Sequence, residues 1–392
     1  MSQSRRLLRI SLIGHVFNDM YWFIIPLLLP IIKEEFSLNY AQSGLLLSSY
    51  TIMGAFGSLI TGYLGDRKGR RFILSWGFFL GSLALVLCAF SGNYWYVFLS
   101  LILLGVGISA FHPSMIAVIS NSFMQKRGAV LGIFQFWGWI GTLSVVLLIS
   151  FLLKVFSSWR TVLLVLSIPG FIFAPISFRF LKNLITEKRQ RSESDPQYFL
   201  EEKREKVRFL TFVVFILANT LFTITYYSVA NFIPTYLVEE RSFNVTFASY
   251  SFLIVVGGGL FGALISGKMV DLLSSLDSLI IFVLIGGPII IFLTLAKNYL
   301  LLITMLVLFG ISYAGIYPAQ QTYMAESTPQ KTRGGAYGVI FCVSYIVGAI
   351  APGITGIIAD RLNLSSALRI STFPLFLAII LFFLLKRIKV HH

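Results

Sequence analysis
The sequence predicts an all-α membrane protein, with twelve transmembrane helices in two pseudo-symmetric six-helix bundles. Three observations predict it. Hydrophobic residues make up 57% of the 392 residues and charged residues 12%, about half of the roughly 25% usual in a soluble domain. The apolar residues gather into runs of about 20, each long enough to cross about 30 Å of hydrocarbon as a helix. Features of the first half recur in the second at a nearly constant offset.

The runs lie, in order, near 10–32, 40–64, 72–91, 95–121, 128–153 and 159–180, then 208–238, 245–270, 277–296, 299–324, 334–359 and 366–386. The first follows Arg5, Arg6 and Arg9, which imitate a signal peptide. Its apolar run continues past twenty residues with no small-residue cleavage site, so it reads as a spanning helix that stays attached. The second and third are split by the cationic stretch Arg67–Arg71, the fourth and fifth by Lys126 and Arg127, and the tenth and eleventh by Lys331 and Arg333. Lys386, Arg387 and Lys389 follow the twelfth. All of these cations fall on one side, whereas Glu34/Glu35 and Glu239/Glu240 fall on the other. By the positive-inside rule both termini are cytoplasmic, in a multi-pass protein of the plasma membrane. The net charge of +15 therefore reads as topology, and no nucleic-acid partner is expected.

Residues 182–207 break the pattern. Lys182, Glu187, Lys188, Arg189, Arg191, Glu193, Asp195 and the run from Glu201 to Lys206 cannot span a bilayer. They read as a cytoplasmic charged linker, helical in part, between an N-terminal bundle (1–181) and a C-terminal bundle (208–392). A solvated tether is favoured over a regulatory segment.

The halves repeat. Gly62 and Asp66 recur 205 positions later as Gly267 and Asp271. Gly105 and Pro113 recur at the same offset as Gly310 and Pro318. Arg127-Gly128-x-x-x-Gly132 recurs 206 positions later as Arg333-Gly334-x-x-x-Gly338.

Between the second and third runs stands Gly62-Tyr-Leu-Gly-Asp66-Arg67-Lys68-Gly69-Arg70-Arg71. It resembles the signature loop of the major facilitator superfamily, G-x-L-a-D-r-x-G-r-[rk], with Gly65 at the small-residue position. The resemblance extends over the whole chain through the repeats. The second loop is degenerate, because Lys268-Met-Val-Asp271 lacks the following cations. The resemblance implies a transporter in which substrate sits near the midplane between the halves. It also implies a cytoplasmic latch, carried here by Gly62, Asp66, Arg67, Gly69, Arg70, Arg127, Asp271, Glu326 and Arg333. In that latch Asp66 would accept from the start of the eleventh helix, after Arg333, or from an arginine such as Arg127.

Polar residues inside the runs need a reason, since a charge at the centre of a spanning helix costs about 2.5–3.5 kcal/mol on insertion scales. Asp19 lies ten residues beyond Arg9, about 15 Å along the helix and close to the midplane. His15 sits four residues earlier on the same face, and Asn18 adds a third polar group. Asp19 is expected to carry the driving proton, tuned by His15. His112, before Pro113 in the fourth run, is a second proton-coupling candidate, and Tyr317 is its repeat partner. Asn219, Thr223, Tyr227 and Asn231 recur every four residues with Tyr226 beside them, so this face should line a cavity. Asn18, Gln135, Trp137, Trp139, Gln320 and Gln321 are further substrate-binding candidates. Aromatic and amide groups without a midplane Lys or Arg suit an amphipathic or weakly charged small molecule.

Finer resemblances point two ways. His15-x-x-Asn18-Asp19, Pro26, Pro30, Gln42-x-Gly44-Leu45 and Phe111-His112-Pro113 are similar to the fosmidomycin-resistance exporters. Ile233-Pro234-Thr-Tyr236-Leu237 and Glu326-Ser-Thr-Pro329-x-x-x-Arg333-Gly334 are similar to proton-coupled symporters of organic acids and sugars. Leu101 stands where many proton-coupled members carry Arg. Gly138-Trp-Ile-Gly141 lacks the proline and paired glycines of the antiporter motif. The expectation is a proton-coupled secondary transporter of a small organic solute, monomeric in the bilayer, with export favoured over import of an organic acid or sugar. A non-transporting receptor is the rival from another class. No metal-ligand cluster, nucleophile–base pair or phosphate-cradling loop is visible in the sequence, so neither an enzyme nor a cofactor is expected. Cys88 and Cys342 read as packing residues, and His391 and His392 as the remnant of an expression tag.

Overall fold
A computed structural model of the chain describes residues 3–193 and 209–390. Among the described residues every regular element is helical. In chain order they are α1 (Gln3–Glu35), α2 (Tyr40–Leu64), α3 (Arg70–Ala89), α4 (Tyr94–Ser109), α5 (Phe111–Ser122), α6 (Arg127–Phe156) and α7 (Trp159–Glu193). Then come α8 (Phe209–Glu239), α9 (Val245–Leu272), α10 (Ser275–Leu295), α11 (Tyr299–Ser327), α12 (Arg333–Arg361), α13 (Leu364–Ile370) and α14 (Phe373–Val390). A π-helical turn, Gly65–Gly69, joins α2 to α3, and Gly69 has φ +100°, a conformation L side chains rarely adopt.

Among the described residues eleven continuous stretches are long and apolar enough to cross a membrane. One of them, Gln42–Ala89, has 48 residues, more than twice the length a single crossing needs, and contains the Gly65–Gly69 turn. It accounts for two crossings, which gives the expected twelve. The fourth crossing is α4 with α5, and the twelfth is α13 with α14. Outward faces carry Leu147, Phe151, Phe261 and Ile380 exposed, the reverse of a water-soluble domain and what contact with lipid requires.

α7 continues as helix through the first part of the expected linker, to Glu193. The remainder of that segment lies outside the described residues.

Two compact units are formed. The first comprises residues 1–122, 137–205 and 328–345, and the second 123–136, 206–327 and 346–392. α6 and α12 are thus each divided: α6 gives its first ten residues to the second unit, and α12 gives its first thirteen to the first unit.

In the first unit α3 packs against α7 and α4, and α2 against α4. Ile24, Leu28, Leu85, Val97, Leu101 and Val162 are fully enclosed at its centre. Leu101 therefore occupies apolar core, where a cation would lack a partner. In the second unit α9 and α10 pack against α11, and α10 and α8 against α14; with α1 also against α7 in the first unit, the same pairs of crossings meet.

Prolines interrupt several helices, and two of the freed carbonyls find side-chain donors. Pro26 cannot bond Trp22 O, which accepts from the Tyr50 hydroxyl at 3.3 Å. Pro113 leaves Ser109 O, which lies 3.2 Å from Thr61 Oγ1 where α4 gives way to α5, a hydroxyl it shares with Gly57 O at 2.7 Å.

Candidate functional site
α1 places Asp19 at the midpoint of the crossing Ser4–Glu35. One turn earlier on the same face, His15 Nε2 lies 3.4 Å from Asp19 Oδ2. The break between α4 and α5 brings His112 to the same point: its Nε2 is 3.4 Å from Asp19 Oδ1 and 3.2 Å from His15 Nε2. Asn18 Nδ2 lies 3.3 Å from His112 Nδ1. Four polar groups from two crossings thus converge inside the first unit. His15 is fully enclosed, while the side chains of Asp19 and His112 keep 15% and 12% exposure, so one side of the cluster stays open.

Aromatic rings border this cluster. His112 lies against Phe341, Phe341 against Tyr345, Tyr345 against Trp22, and Trp22 against Tyr50. Gly138 of α6 faces it as well. A methyl group there would lie 2.6 Å from Asp19 Oδ2 and 2.6 Å from His15 Nε2. Gly141, one turn on, lies over the backbone of Val16 in the same way. In the sequence Gly138 and Gly141 stand out only as departures from a motif. Their structural role is close approach of α6 to α1, and the signal for it is the pair of small residues.

No metal-ligand cluster is visible in the sequence, and the fold brings three side chains of ligand type together. His15, Asp19 and His112 each offer a ligand atom, all within 4.8 Å of one another. The set is invisible in sequence because His112 comes from a crossing 97 residues away.

The polar face of α8 lies in the second unit. Asn219 and Thr223 are buried, and Asn219 Oδ1 accepts from Gln320 Nε2 of α11. Thr223 Oγ1 bonds back to Asn219 O at 2.6 Å. Tyr227 lies against Gly348, and Asn231 is exposed, with its amide on Tyr227 O at 2.8 Å. Gln321 is buried beside Gln320, and Tyr317 donates to Tyr313 at 3.0 Å. Tyr226 departs from this group. It is fully enclosed, bonded to Ser312 Oγ at 2.6 Å and stacked on Tyr313. It fills the unit's own core. Gln135 is buried and Trp137 is exposed, on a part of α6 divided between the units.

The latch residues form two matched caps. In the first unit Asp66 Oδ1 accepts from Gly334 N at 3.1 Å, and Oδ2 accepts from Gly335 N at 2.8 Å, at the start of α12. Arg70 donates to Asp66 at 2.6 Å and to Gln330 O at 3.2 Å. Of the two partners expected for Asp66, the helix start is present, joined by Arg70. Arg67 lies over the Tyr63 ring, and buried Arg333 bonds Asn121 and Thr328 O. In the second unit Asp271 accepts from Gly128 N and Ala129 N, both at 2.9 Å, at the start of α6. Arg127 opens that helix. Glu326 accepts from Ser275 at 2.6 Å. Asp66 and Asp271 each take two of the four orphan donors of a helix start, where the helix dipole favours negative charge. Below each cap glycines meet: Gly62 faces Gly334 and Gly338, and Gly267 faces Gly128 and Gly132.

Residues 11–352 and 258–392 match the sequence model of the Major Facilitator Superfamily. The fosmidomycin resistance protein of Escherichia coli is 23% identical over 379 residues, covering 95% of this chain and 91% of its own length. The cis,cis-muconate transport protein of Acinetobacter baylyi is 26% identical over 350 residues, covering 84% of this chain and 81% of its own. Among solved structures, a proton:xylose symporter bound to 6-bromo-6-deoxy-D-glucose superposes with a TM-score of 0.79 at 15% identity. That superposition covers 97% of this chain and 95% of the symporter, and it speaks to fold.

Proposed function
The chain belongs to the Major Facilitator Superfamily and is a multi-pass membrane transporter; we propose that it is a secondary active transporter that moves a small organic solute by alternating access, coupled to protons. The observation that carries the coupling is the gathering of His15, Asp19 and His112 at mid-crossing. An intramembrane carboxylate needs a function or a partner. Here it has two imidazoles, the side chains best suited to exchanging a proton near neutral pH. Asp19 takes up and releases the proton, and the histidines share it, with Asn18 holding His112. Trp22, Phe341 and Tyr345 offer apolar surface beside the charge, and Asn219, Tyr227, Asn231, Tyr317, Gln320 and Gln321 offer amide and hydroxyl groups. This mixture fits an amphipathic or weakly charged ligand. The two sequence halves are the bodies that exchange access, in the plasma membrane with both termini cytoplasmic.

Export is supported by similarity to the fosmidomycin resistance protein over nearly the whole chain. Import of an organic acid is the second reading, favoured by similarity to the cis,cis-muconate transport protein.

Reconstituted proteoliposomes with an imposed pH gradient test the proposal, with labelled fosmidomycin and cis,cis-muconate as first probes. The wild type is expected to move one of them against its concentration gradient. Asp19→Asn is expected to lose uphill movement yet keep downhill exchange. Uphill movement that survives in Asp19→Asn would falsify the coupling role.

A further inference from the structure
We propose that His15, Asp19 and His112 bind a divalent transition-metal ion of the zinc type. The proposal shares residues with the coupling site but does not rest on it, because binding is read without transport.

The geometry carries it. Tetrahedral zinc, with ligands about 2.0–2.1 Å away, holds neighbouring ligand atoms about 3.3 Å apart. The histidine Nε2 atoms lie 3.2 Å apart, His15 Nε2 lies 3.4 Å from Asp19 Oδ2, and His112 Nε2 lies 3.4 Å from Asp19 Oδ1, so each histidine faces its own carboxylate oxygen. With one Asp19 oxygen as ligand the three ligand atoms lie within 4.8 Å of one another, and turning the carboxylate toward both histidines would close them on an ion. Two imidazoles and one carboxylate, with the fourth position open, is a ligand set zinc accepts.

Two further observations point the same way. Asp19 Oδ1 is enclosed and makes no hydrogen bond of normal geometry, although a carboxylate oxygen buried there should have a partner. It faces His112 Nε2 across 3.4 Å. Asn18 also stands beside the other ring nitrogen of His112, at 3.3 Å. A metal-bound imidazole needs an acceptor for that N–H, and the Asn18 amide turned over supplies its oxygen.

Charge and ligand type set the ion. Asp19 with two neutral imidazoles carries one negative charge, so a bound divalent ion leaves a single positive charge, which an anionic donor at the open fourth position would neutralise. Two nitrogen donors suit zinc, cobalt, nickel and copper, whereas magnesium and calcium seek oxygen. The exposed sides of Asp19 and His112 leave the fourth position to water or to a donor atom of the solute. Because metal and proton use the same atoms, metal binding displaces the proton.

Cobalt(II) is the probe, since its tetrahedral complexes absorb visible light. All variants carry His391→Ala and His392→Ala, which removes the terminal histidine pair. Purified full-length protein in detergent, otherwise wild type, is expected to develop tetrahedral cobalt bands that saturate at one equivalent. Zinc should erase them and magnesium should not, and zinc should raise the melting temperature. His15→Gln and His112→Gln should each weaken cobalt binding at least tenfold. Gly138→Ala keeps every ligand but places a methyl 2.6 Å from two of them, so it should also abolish the bands. Melting curves without metal verify that each variant folds. Failure of the otherwise wild-type protein to show saturable tetrahedral bands overturns the proposal even if no variant folds. Bands that persist in a folded His112→Gln overturn it as well.

Discussion

Ser37 and Ser242 show how closely the two halves agree at single residues. They sit 205 positions apart, just past α1 and α8, with φ of 49° and 57°. Both end a helix in the left-handed conformation, where glycine is the favoured residue. For a residue with a Cβ that conformation costs about 1–2 kcal/mol, partly offset by the entropy glycine loses on folding. Ser37→Gly and Ser242→Gly are each expected to raise the melting temperature in detergent, by a stabilisation of about 0.5 kcal/mol. An unchanged or lower melting temperature for both would show that the serine side chains contribute more than the backbone relief. Glu35 and Glu240 repeat in the same way. Glu35 accepts from Trp159 and Arg160 at the start of α7, and Glu240 accepts from Ser365 at the start of α13. The acidic pairs are plain in the sequence as breaks between apolar runs, but their partners are not, because each lies about 125 residues further along.

The helices raise a different question, namely how a crossing tolerates proline. In lipid a freed carbonyl has no water to turn to. Tyr50 and Thr61 of α2 supply hydroxyls to Trp22 O and Ser109 O. Tyr50→Phe and Thr61→Val remove these donors while keeping most of the volume. Interhelical hydrogen bonds in membranes contribute about 0.6 kcal/mol on average. Each substitution is expected to lower unfolding stability by about that amount, and the pair additively, since they serve different crossings. Unfolding in mixed detergent measures this, and two silent variants would mean that the carbonyls are satisfied elsewhere. The number and order of the crossings and most of their ends were legible from apolar runs and charged punctuation, whereas α1 begins earlier and α7 runs further than their apolar runs do. The division of the fourth crossing at Ala110, and of the twelfth at Ser371–Thr372, was not. Both breaks lie inside apolar runs that hydropathy reads as continuous.

At the scale of the whole molecule, Asp66 and Asp271 hold the starts of the two helices whose residues are divided between the compact units. Removing either carboxylate exposes two backbone donors and the positive end of a helix. Asp66→Ala is expected to shift the resting population toward the inward-open state, raising the labelling rate of cysteines placed near Gly62 at the end of α2 and near Gly334 at the start of α12. Asp271→Ala should shift it in the same direction despite the missing cations of its loop, because the cap it makes has the same two bonds. Spin-label distances unchanged in both variants would sink the latch.

The sequence by itself determined the class of the molecule, its twelve crossings, the duplication and the aspartates of both caps. All of these follow from local composition, helical rise and fixed offsets. Only the tertiary structure decided that His112 joins His15 and Asp19, that Gly138 closes over them, that Tyr226 turns into the core, and which helix start each aspartate holds. The reason is physical. Periodicity tells which residues share a face of one helix, whereas a site needs faces from several helices, and packing alone selects which of them meet.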